Sequence, residues 1–160
     1  MDNPKIKTRV RTNRRGVTKT VTKTKDVSPT GTKTRTRTVS RTQNLSGKSL
    51  GTVGSTGDLA KSGTKSLVKQ KTIAKSASGD KVRVKSVTGS LSKRGERWGS
   101  EGVPSTYDVR ATATKEKSSQ PGLKRNQKTG SVYSNYNNNS PVTKNTTFKE
   151  ARSIARKLRK

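Results

Sequence analysis

The sequence TKTRTRTVSRT, from Thr32 to Thr42, decides the fold, and VTKTVTKTK, from Val17 to Lys25, repeats its pattern. In both runs Thr or Ser occupies every even position, and Lys, Arg or Val occupies every odd position. Successive side chains of an extended strand point to opposite faces, so each run has one face rich in cations and one face of hydroxyls. Thr and Val also favour strands, because their branched side chains suit a pleated surface.

A similar alternation begins at Lys5, where the basic residues share one parity and Ile, Val and Thr share the other. Asn13–Gly16 and Ser28–Gly31 separate the three runs, and both are good turn sequences. The pattern therefore predicts a β-meander over residues 5–42. Because neither face is apolar, such a sheet has no surface to pack on and a weakly specified register. We expect these strands to need a partner surface, through strand addition or an extended wrap.

Composition argues against a conventional core. The net charge is +29, and Leu, Ile, Val and Phe together account for 25 of the 160 residues. That share lies below the roughly 20% under which highly charged chains are usually disordered. Burying so little apolar surface does not offset a backbone ordering cost of roughly 1–2 kcal/mol per residue. The expected fold class is therefore mostly extended and irregular, with short β-strands, a C-terminal amphipathic α-helix, no large autonomous core, and order supplied by an assembly.

Composition also divides the chain into segments. They are a basic, Thr-alternating β arm (1–42), a Gly/Ser linker (43–64), a small β-rich segment (65–116), an Asn/Ser/Lys-rich extended linker (117–145) and a basic C-terminal helix (146–160). Within the β-rich segment, residues 67–88 read as a hairpin around the Gly-containing connection Ser76–Asp80. The apolar residues between Leu67 and Ala74 also fit a short helix, so both interpretations stay open here.

The C-terminus has helical periodicity. Thr147, with Glu150 three residues later, matches a capping box. Apolar residues then recur at helical spacing, namely Phe148, Ala151, Ile154, Ala155 and Leu158. This spacing predicts a basic amphipathic helix over residues 147–159. Such a helix is compatible with a nucleic-acid groove, an anionic membrane or a protein surface. The narrow apolar stripe favours docking on a protein, with the cations facing an acidic surface.

Several function classes are disfavoured by what the sequence lacks. It has no Cys and no His, which removes disulfides, thiolate metal sites and the usual neutral-pH base. We therefore predict a non-enzymatic protein without a catalytic site, metal or cofactor. No apolar run approaches the roughly 18 residues of a membrane helix, and the start MDNPKIKTRV lacks the apolar stretch of a secretory signal. We expect the protein in a virion or an intracellular nucleoprotein particle, neither secreted nor transmembrane.

Lys and Arg in regular array suit phosphate neutralisation driven by counterion release, and Thr hydroxyls add phosphate hydrogen bonds. The predicted polyanion-binding residues are Lys5, Lys7, Arg9, Arg11, Arg14, Arg15, Lys19, Lys23, Lys25, Lys33, Arg35, Arg37, Arg41, Lys81, Arg83 and Lys85. Predicted partner anchors are Trp98, Tyr107, Phe148, Ile154 and Leu158. Trp98, between Arg97 and Gly99, also suits stacking on a base or packing in a small local cluster.

These features predict a basic structural protein of a nucleoprotein particle, with a virion favoured. It would bind nucleic acid non-specifically through the phosphate backbone, bridge subunits as a cement, or do both. One alternative is a protein-interaction module that docks on acidic subunits by strand addition and by its helix, without nucleic acid. Another is an rRNA-binding protein of the ribosome. In composition the chain resembles the basic arms of viral coat and ribosomal proteins, but it lacks the globular head that often accompanies them.

Overall fold

The computed structural model describes residues 3–45, 52–53, 58–96, 104–120, 122–136 and 140–159. These residues form one open antiparallel sheet and one helix. The elements are β1 (Lys5–Thr12), β2 (Val17–Val27), β3 (Lys33–Asn44), β4 (Thr52–Val53), β5 (Asp58–Lys75), β6 (Lys81–Glu96), β7 (Pro104–Gln120), β8 (Leu123–Tyr136), β9 (Val142–Thr146) and α1 (Phe148–Lys157).

The sheet is built almost entirely from neighbours in sequence. Its order is β1-β2-β3-β5-β6-β7-β8-β9, every pair is antiparallel, and the short β4 pairs with the first residues of β5. These connections place each main strand beside the main strand that precedes it in the sequence. The expectation of a mostly irregular chain is therefore wrong, because the described chain is a well-ordered sheet with a short C-terminal helix.

The predicted meander is confirmed, together with its turns. Gly16 has a φ of 71° and its N–H donates to the carbonyl oxygen of Asn13 at 3.0 Å. The Asn13 side-chain oxygen accepts from the N–H groups of Arg15 and Val17 at 3.0 and 2.9 Å. Ser28 acts similarly at the second turn, where its hydroxyl oxygen accepts from the Thr32 N–H at 3.1 Å. Short polar side chains thus replace backbone partners where the chain reverses.

Strand pairing also decides the segments that composition left irregular. Residues 67–75 are strand and not helix, and β5 and β6 form the predicted hairpin around Ser76–Asp80. The Gly/Ser stretch at 58–64 belongs to β5, while 46–51 and 54–57 lie outside the described residues. The Asn/Ser/Lys-rich residues 117–145 supply the end of β7, all of β8 and most of β9. Ladder hydrogen bonds satisfy the backbone whatever the side chains, so a polar sequence can pair here.

The helix packs on small residues of the sheet, which a count of Leu, Ile, Val and Phe leaves out. Ala111 and Ala113 of β7 and Ala151 and Ala155 of α1 are all 0% exposed. Counting Leu, Ile, Val and Phe misses this core, because Ala and Gly fill it. Close approach of backbones, rather than bulk, brings helix and sheet together, and Leu67 and Val109 are also buried.

Two glycines of the sheet allow this approach. A Cβ built on Gly130 would lie 2.8 Å from the Ala151 Cβ, and one on Gly89 would overlap the carbonyl oxygen of Ala155. In the register Gly130 lies opposite Ala113, and Gly89 lies opposite Ala111. These four sheet residues form a diagonal line across β8, β7 and β6, which we call the small-residue seam.

The seam and the helix have matching lengths. Two strand spacings of about 4.8 Å and one same-face step of about 6.8 Å give a diagonal of about 12 Å. From Thr147, above Gly130, to Ala155, above Gly89, the helix rises eight residues, or about 12 Å. Each end of α1 is therefore placed over one glycine.

The capping box predicted from the sequence is confirmed. The Glu150 N–H donates to the Thr147 hydroxyl oxygen at 3.2 Å, and the Thr147 N–H donates to the Glu150 carboxylate at 3.2 Å. The Thr146 hydroxyl also donates to this carboxylate. These hydrogen bonds, with that of Thr146 foremost, lower the pKa of Glu150 from 4.5. They fix the first turn of α1 directly after β9, over the glycine of β8.

We predict that Gly89→Ala displaces α1 from the sheet, because the added methyl group meets helix backbone. Overpacking of this kind costs typically 1–3 kcal/mol, and a clash with backbone places the variant at the upper end of about that range. Urea unfolding measures the loss. Ser86→Ala is the matched control, because its side chain lies on the opposite face of β6. Equal stability of both variants would show that α1 does not depend on the seam.

We also predict an acid-sensitive helix start. Thr147→Ala removes the N-cap and is expected to cost about 1 kcal/mol. The pKa of Glu150 is lower in the folded chain, so its contribution is present above about pH 4.5 and is lost as the pH falls through the folded pKa. Glu150→Gln therefore lowers the free energy of unfolding near neutral pH, and this free energy then falls less steeply as the solution is acidified. Glu116→Gln, on the face opposite the helix, is the control, and both are measured by urea unfolding.

Candidate polyanion-binding face

The register of the sheet sorts the charged and hydroxyl side chains onto different faces. Residues directly opposite each other in an antiparallel pair share a face, and parity alternates along each strand. From β1 to β7 the odd-numbered residues share one face, and β8 and β9 contribute their even-numbered residues to it. Within the strand residues of 5–44, 64–94 and 106–146, this face carries no Asp or Glu. We call it the cationic face.

One row of this face contains a cation on every strand from β1 to β8, leaving out the short β4. Each member lies directly opposite the next. The row consists of Lys7, Lys23, Arg37, Lys71, Lys85, Lys115 and Lys128. With strands about 4.8 Å apart, it extends roughly 29 Å across the sheet. We call it the seven-cation row.

Other rows of the same face are shorter. Lys5, Lys25 and Arg35 are mutually opposite on β1, β2 and β3, and the row resumes with Arg83 and Lys117 beyond Ile73. The row of Arg11, Lys19 and Arg41 ends at Leu67, where the apolar patch beneath α1 begins. Cations are thus densest over β1–β3, away from the helix.

A shallow groove of about 470 Å³ lies in this dense region. Its floor includes Val21, which pairs with Val39, and its walls are cationic. The lining residues are Lys7, Arg9, Arg11, Lys19, Val21, Lys23 and Arg37. The groove therefore offers an anion several long, exposed cationic side chains around a small apolar base.

The seven-cation row carries an electrostatic cost in the free chain. Like charges directly opposite each other destabilise a sheet. Partial burial, followed by the charges of Lys117, Lys128 and Lys85, lowers the pKa of Lys115 from 10.5. Two of these neighbours, Lys85 and Lys128, are the row members that flank Lys115. An anion bound along the row would relieve this repulsion.

The helix lies on the cationic face and adds to its charge. Ala151 and Ala155 face the sheet, so this part of the apolar stripe packs on the chain's own sheet. The exposed basic side chains of the helix and the residues just after it are Lys149, Arg152, Arg156, Lys157 and Arg159. The Arg152 guanidinium lies 6.0 Å from the centre of the Phe148 ring, within cation–π range.

The hydroxyls lie on the other face of the sheet, which we call the hydroxyl face. Here hydroxyls of neighbouring strands lie within hydrogen-bond distance, as in Thr12–Thr18 at 3.0 Å, Ser66–Ser90 at 2.7 Å and Thr88–Thr112 at 3.2 Å. A polyanion on the cationic face therefore does not meet the Thr hydroxyls of the alternating runs. Their phosphate-binding role, expected from the sequence, does not fit this geometry.

The structure separates the residues predicted as binding sites. Arg14 and Arg15 lie in the β1–β2 turn, whereas the other predicted cations all belong to the cationic face. Sequence reasoning missed Lys71, Lys115 and Lys128, which complete the seven-cation row. The odd-position lysines at 65, 69, 71 and 75 were a usable signal, because they continue the alternation of β3.

The predicted partner anchors are partly described. Tyr107 is half-buried and lies opposite Tyr136, with the ring centres 6.4 Å apart and the planes at 73°. Phe148, Ile154 and Leu158 are half-buried on α1 and the residue that caps it. Trp98 lies outside the described residues. Their role as anchors stays a prediction.

No protein-family model, curated protein or solved structure matches this chain. The described part of the chain has no helix that is long and apolar enough to cross a membrane. Within the same residues, no three carboxylate, Cys or His side chains come together as a metal site.

We predict that the stability of the free protein rises with pH. Because the pKa of Lys115 is below 10.5 in the folded chain, the unfolded chain binds more protons between the folded pKa and 10.5. The free energy of unfolding therefore increases as the pH rises through that window. Lys115→Gln removes this unfavourable charge, so the variant is more stable than the native chain near neutral pH. Its free energy of unfolding also increases less as the pH rises.

Urea unfolding from about pH 7 to about pH 10 measures this difference. Lys149→Gln is the matched control, because Lys149 lies exposed on α1 and outside the seven-cation row. If Lys149→Gln flattens the pH dependence as strongly as Lys115→Gln, overall charge rather than the row is responsible.

Proposed function

We propose that this is a non-enzymatic nucleic-acid-binding protein whose cationic face holds the phosphate backbone without reading bases. The observation that carries the proposal is the seven-cation row. Aligning like charges across the whole sheet is unfavourable in the free chain. A bound polyanion neutralises these charges, and the release of its counterions drives binding. The net charge of +29 gives the same partner class.

The dimensions of the row favour a nucleic acid lying across the strands. A duplex carries one negative charge per about 1.7 Å of its axis, against one cation per about 4.8 Å of the row. A duplex aligned with the row therefore has enough phosphates to meet every row cation. A duplex is wider than one row of cations, so the neighbouring rows and the exposed basic side chains of α1 contact the same phosphate backbone.

The absence of aromatic residues from the first 97 positions supports backbone recognition. Binding of single strands commonly uses aromatic side chains as stacking platforms, and base readout needs side chains that enter a groove. The strands β1–β6 supply Lys, Arg, Thr and Val instead. The proposed binding is accordingly non-specific in sequence and strongly dependent on salt.

The setting that we propose is a nucleoprotein particle, with a virion ahead of a ribosome. There the protein neutralises packaged nucleic acid and bridges subunits. The second candidate, docking on an acidic protein by strand addition, is favoured by one observation, the edge strand β1. All eight of its residues are exposed, and Lys5, Lys7, Arg9 and Arg11 present charge along it. The same edge charge also protects a sheet against unwanted pairing.

We predict that random-sequence duplex binds with a steep salt dependence. Seven phosphate contacts give a slope of log K against log salt of about −6. Replacing Lys23, Arg37 and Lys71 together by Ser lowers the steepness by about 3 and weakens binding about 100-fold at about 0.15 M salt. The readout is fluorescence anisotropy between about 50 mM and about 200 mM salt.

The matched control replaces Arg94, Arg110 and Arg125 by Ser, which removes the same charge from the hydroxyl face. An equal loss of duplex affinity in both triple variants would mean that the total charge, and not the cationic face, determines binding. Nuclease treatment of the native assembly separates the two candidate partners. Release of the protein supports nucleic acid, whereas retention supports an acidic protein.

A further inference from the structure

We infer that two copies of this chain associate through their hydroxyl faces, which leaves a cationic face on each outer side. The first argument is surface area. The chain exposes 11417 Å², whereas a compact monomer of its mass, 17.4 kDa, exposes about 7,900 Å². The excess is about 3,500 Å² per chain, whereas an obligate dimer interface of about 2,000–5,000 Å² in total takes about 1,000–2,500 Å² from each partner. The excess is therefore large enough for one such interface, which a single-layer sheet supplies by covering one of its faces.

Charge selects which face is covered. Two cationic faces repel each other, and like-charge juxtaposition across an interface costs several kcal/mol. Over the strand residues of 5–44, 64–94 and 106–146, the hydroxyl face carries three acidic and three basic side chains, so its net charge is zero. They are Asp26, Arg94, Asp108, Arg110, Glu116 and Arg125. The hydroxyl face is thus the one large surface of the described sheet that can approach a copy of itself without net like-charge repulsion.

The composition of the hydroxyl face lowers the cost of removing it from water. The Thr8 and Thr22 hydroxyls lie 3.4 Å apart, and those of Thr36 and Thr72 lie 3.3 Å apart, so each already has a partner on its own sheet. Burying a hydroxyl that is hydrogen-bonded costs much less than burying one that is not. Thr methyl groups then contribute apolar contact.

The same face also exposes larger apolar side chains. Ile6 is 62% exposed and Val10 is 60% exposed, both on the edge strand β1. Val68, Val82 and Val84 are half-buried on β5 and β6 of this face. Because α1 docks on the cationic face, it covers none of them. A second copy covers them by packing sheet on sheet, about 10 Å apart, with two-fold symmetry.

A dimer of this kind has a consequence that rests on the proposed function. Its two cationic faces point in opposite directions, so one dimer holds two separate phosphate backbones. The association itself needs no nucleic acid, so it is tested without any.

The experiment uses the full chain, treated with nuclease and kept in about 1 M salt, where the Debye length is about 3 Å. Sedimentation and light scattering measure the mass at about 50 µM chain, above the µM-to-pM dissociation constants that even smaller interfaces of about 1,600 Å² show. The expected mass is twice 17.4 kDa. A monomer under these conditions overturns the inference without any variant.

A pair of double variants identifies the face. Thr20→Lys with Thr38→Lys places charge on the hydroxyl face of β2 and β3, and is expected to give a monomer with unchanged circular dichroism. Val21→Lys with Val39→Lys adds the same charge to the neighbouring positions on the cationic face, and is expected to stay dimeric. Dissociation by both pairs, or by neither, contradicts the assignment. If the first pair fails to fold, single cysteines keep the test decisive, because the chain has no Cys of its own. A thiol reagent is expected to label Thr20→Cys slowly in the dimer and faster on dilution, and to label Val21→Cys at one rate throughout. The reverse pattern contradicts the assignment.

Discussion

Directly opposite residues of an antiparallel pair share a face, and the rest of this structure depends on that constraint. Strands β1, β2 and β3 alternate between Lys or Arg and a neutral residue over most of their length, β5 and β6 do so over part of it, and the register keeps the cations of β1 to β8 in phase. A slip of one residue at any pair would move every later cation to the other face. The cationic face, the hydroxyl face and the seat of the helix are all products of one unbroken register.

The two halves of the sheet are held together differently. Over β6, β7 and β8 the helix packs on Ala111, Ala113 and two glycines, and close backbone approach supplies the contact. Over β1, β2 and β3, ladder hydrogen bonds and branched Thr and Val side chains hold the strands, without a covering layer within the described residues. The half without a helix is the half with the densest cations. Helix packing and the densest cations therefore occupy different parts of the same face.

Repulsion along the seven-cation row and the small core work in the same direction, since both lower the stability of the free chain. A ligand that binds only the folded state adds stability that grows with the logarithm of its concentration once that concentration exceeds the dissociation constant. Nucleic acid on the cationic face and a second copy on the hydroxyl face would each act in this way. Under these two proposals the stability of the chain would rise on assembly, but the described chain is a well-ordered sheet and not the mostly irregular chain that composition predicted.

Local patterns along the chain by themselves determined the strands of the meander, the turns at Gly16 and Gly31 and the capped C-terminal helix, whereas strand pairing decided between hairpin and helix over residues 67–75. Each depends on residues close in sequence, where alternation, turn chemistry and capping act directly. The seam beneath α1 and the row through Lys71, Lys115 and Lys128 were decided only by the tertiary structure. They depend on which residues of distant segments lie opposite each other. Gly and Ala also do not stand out as core positions in a hydrophobicity pattern. Strand alternation divides the side chains into two sets, but only the register of the assembled sheet aligns those sets into faces.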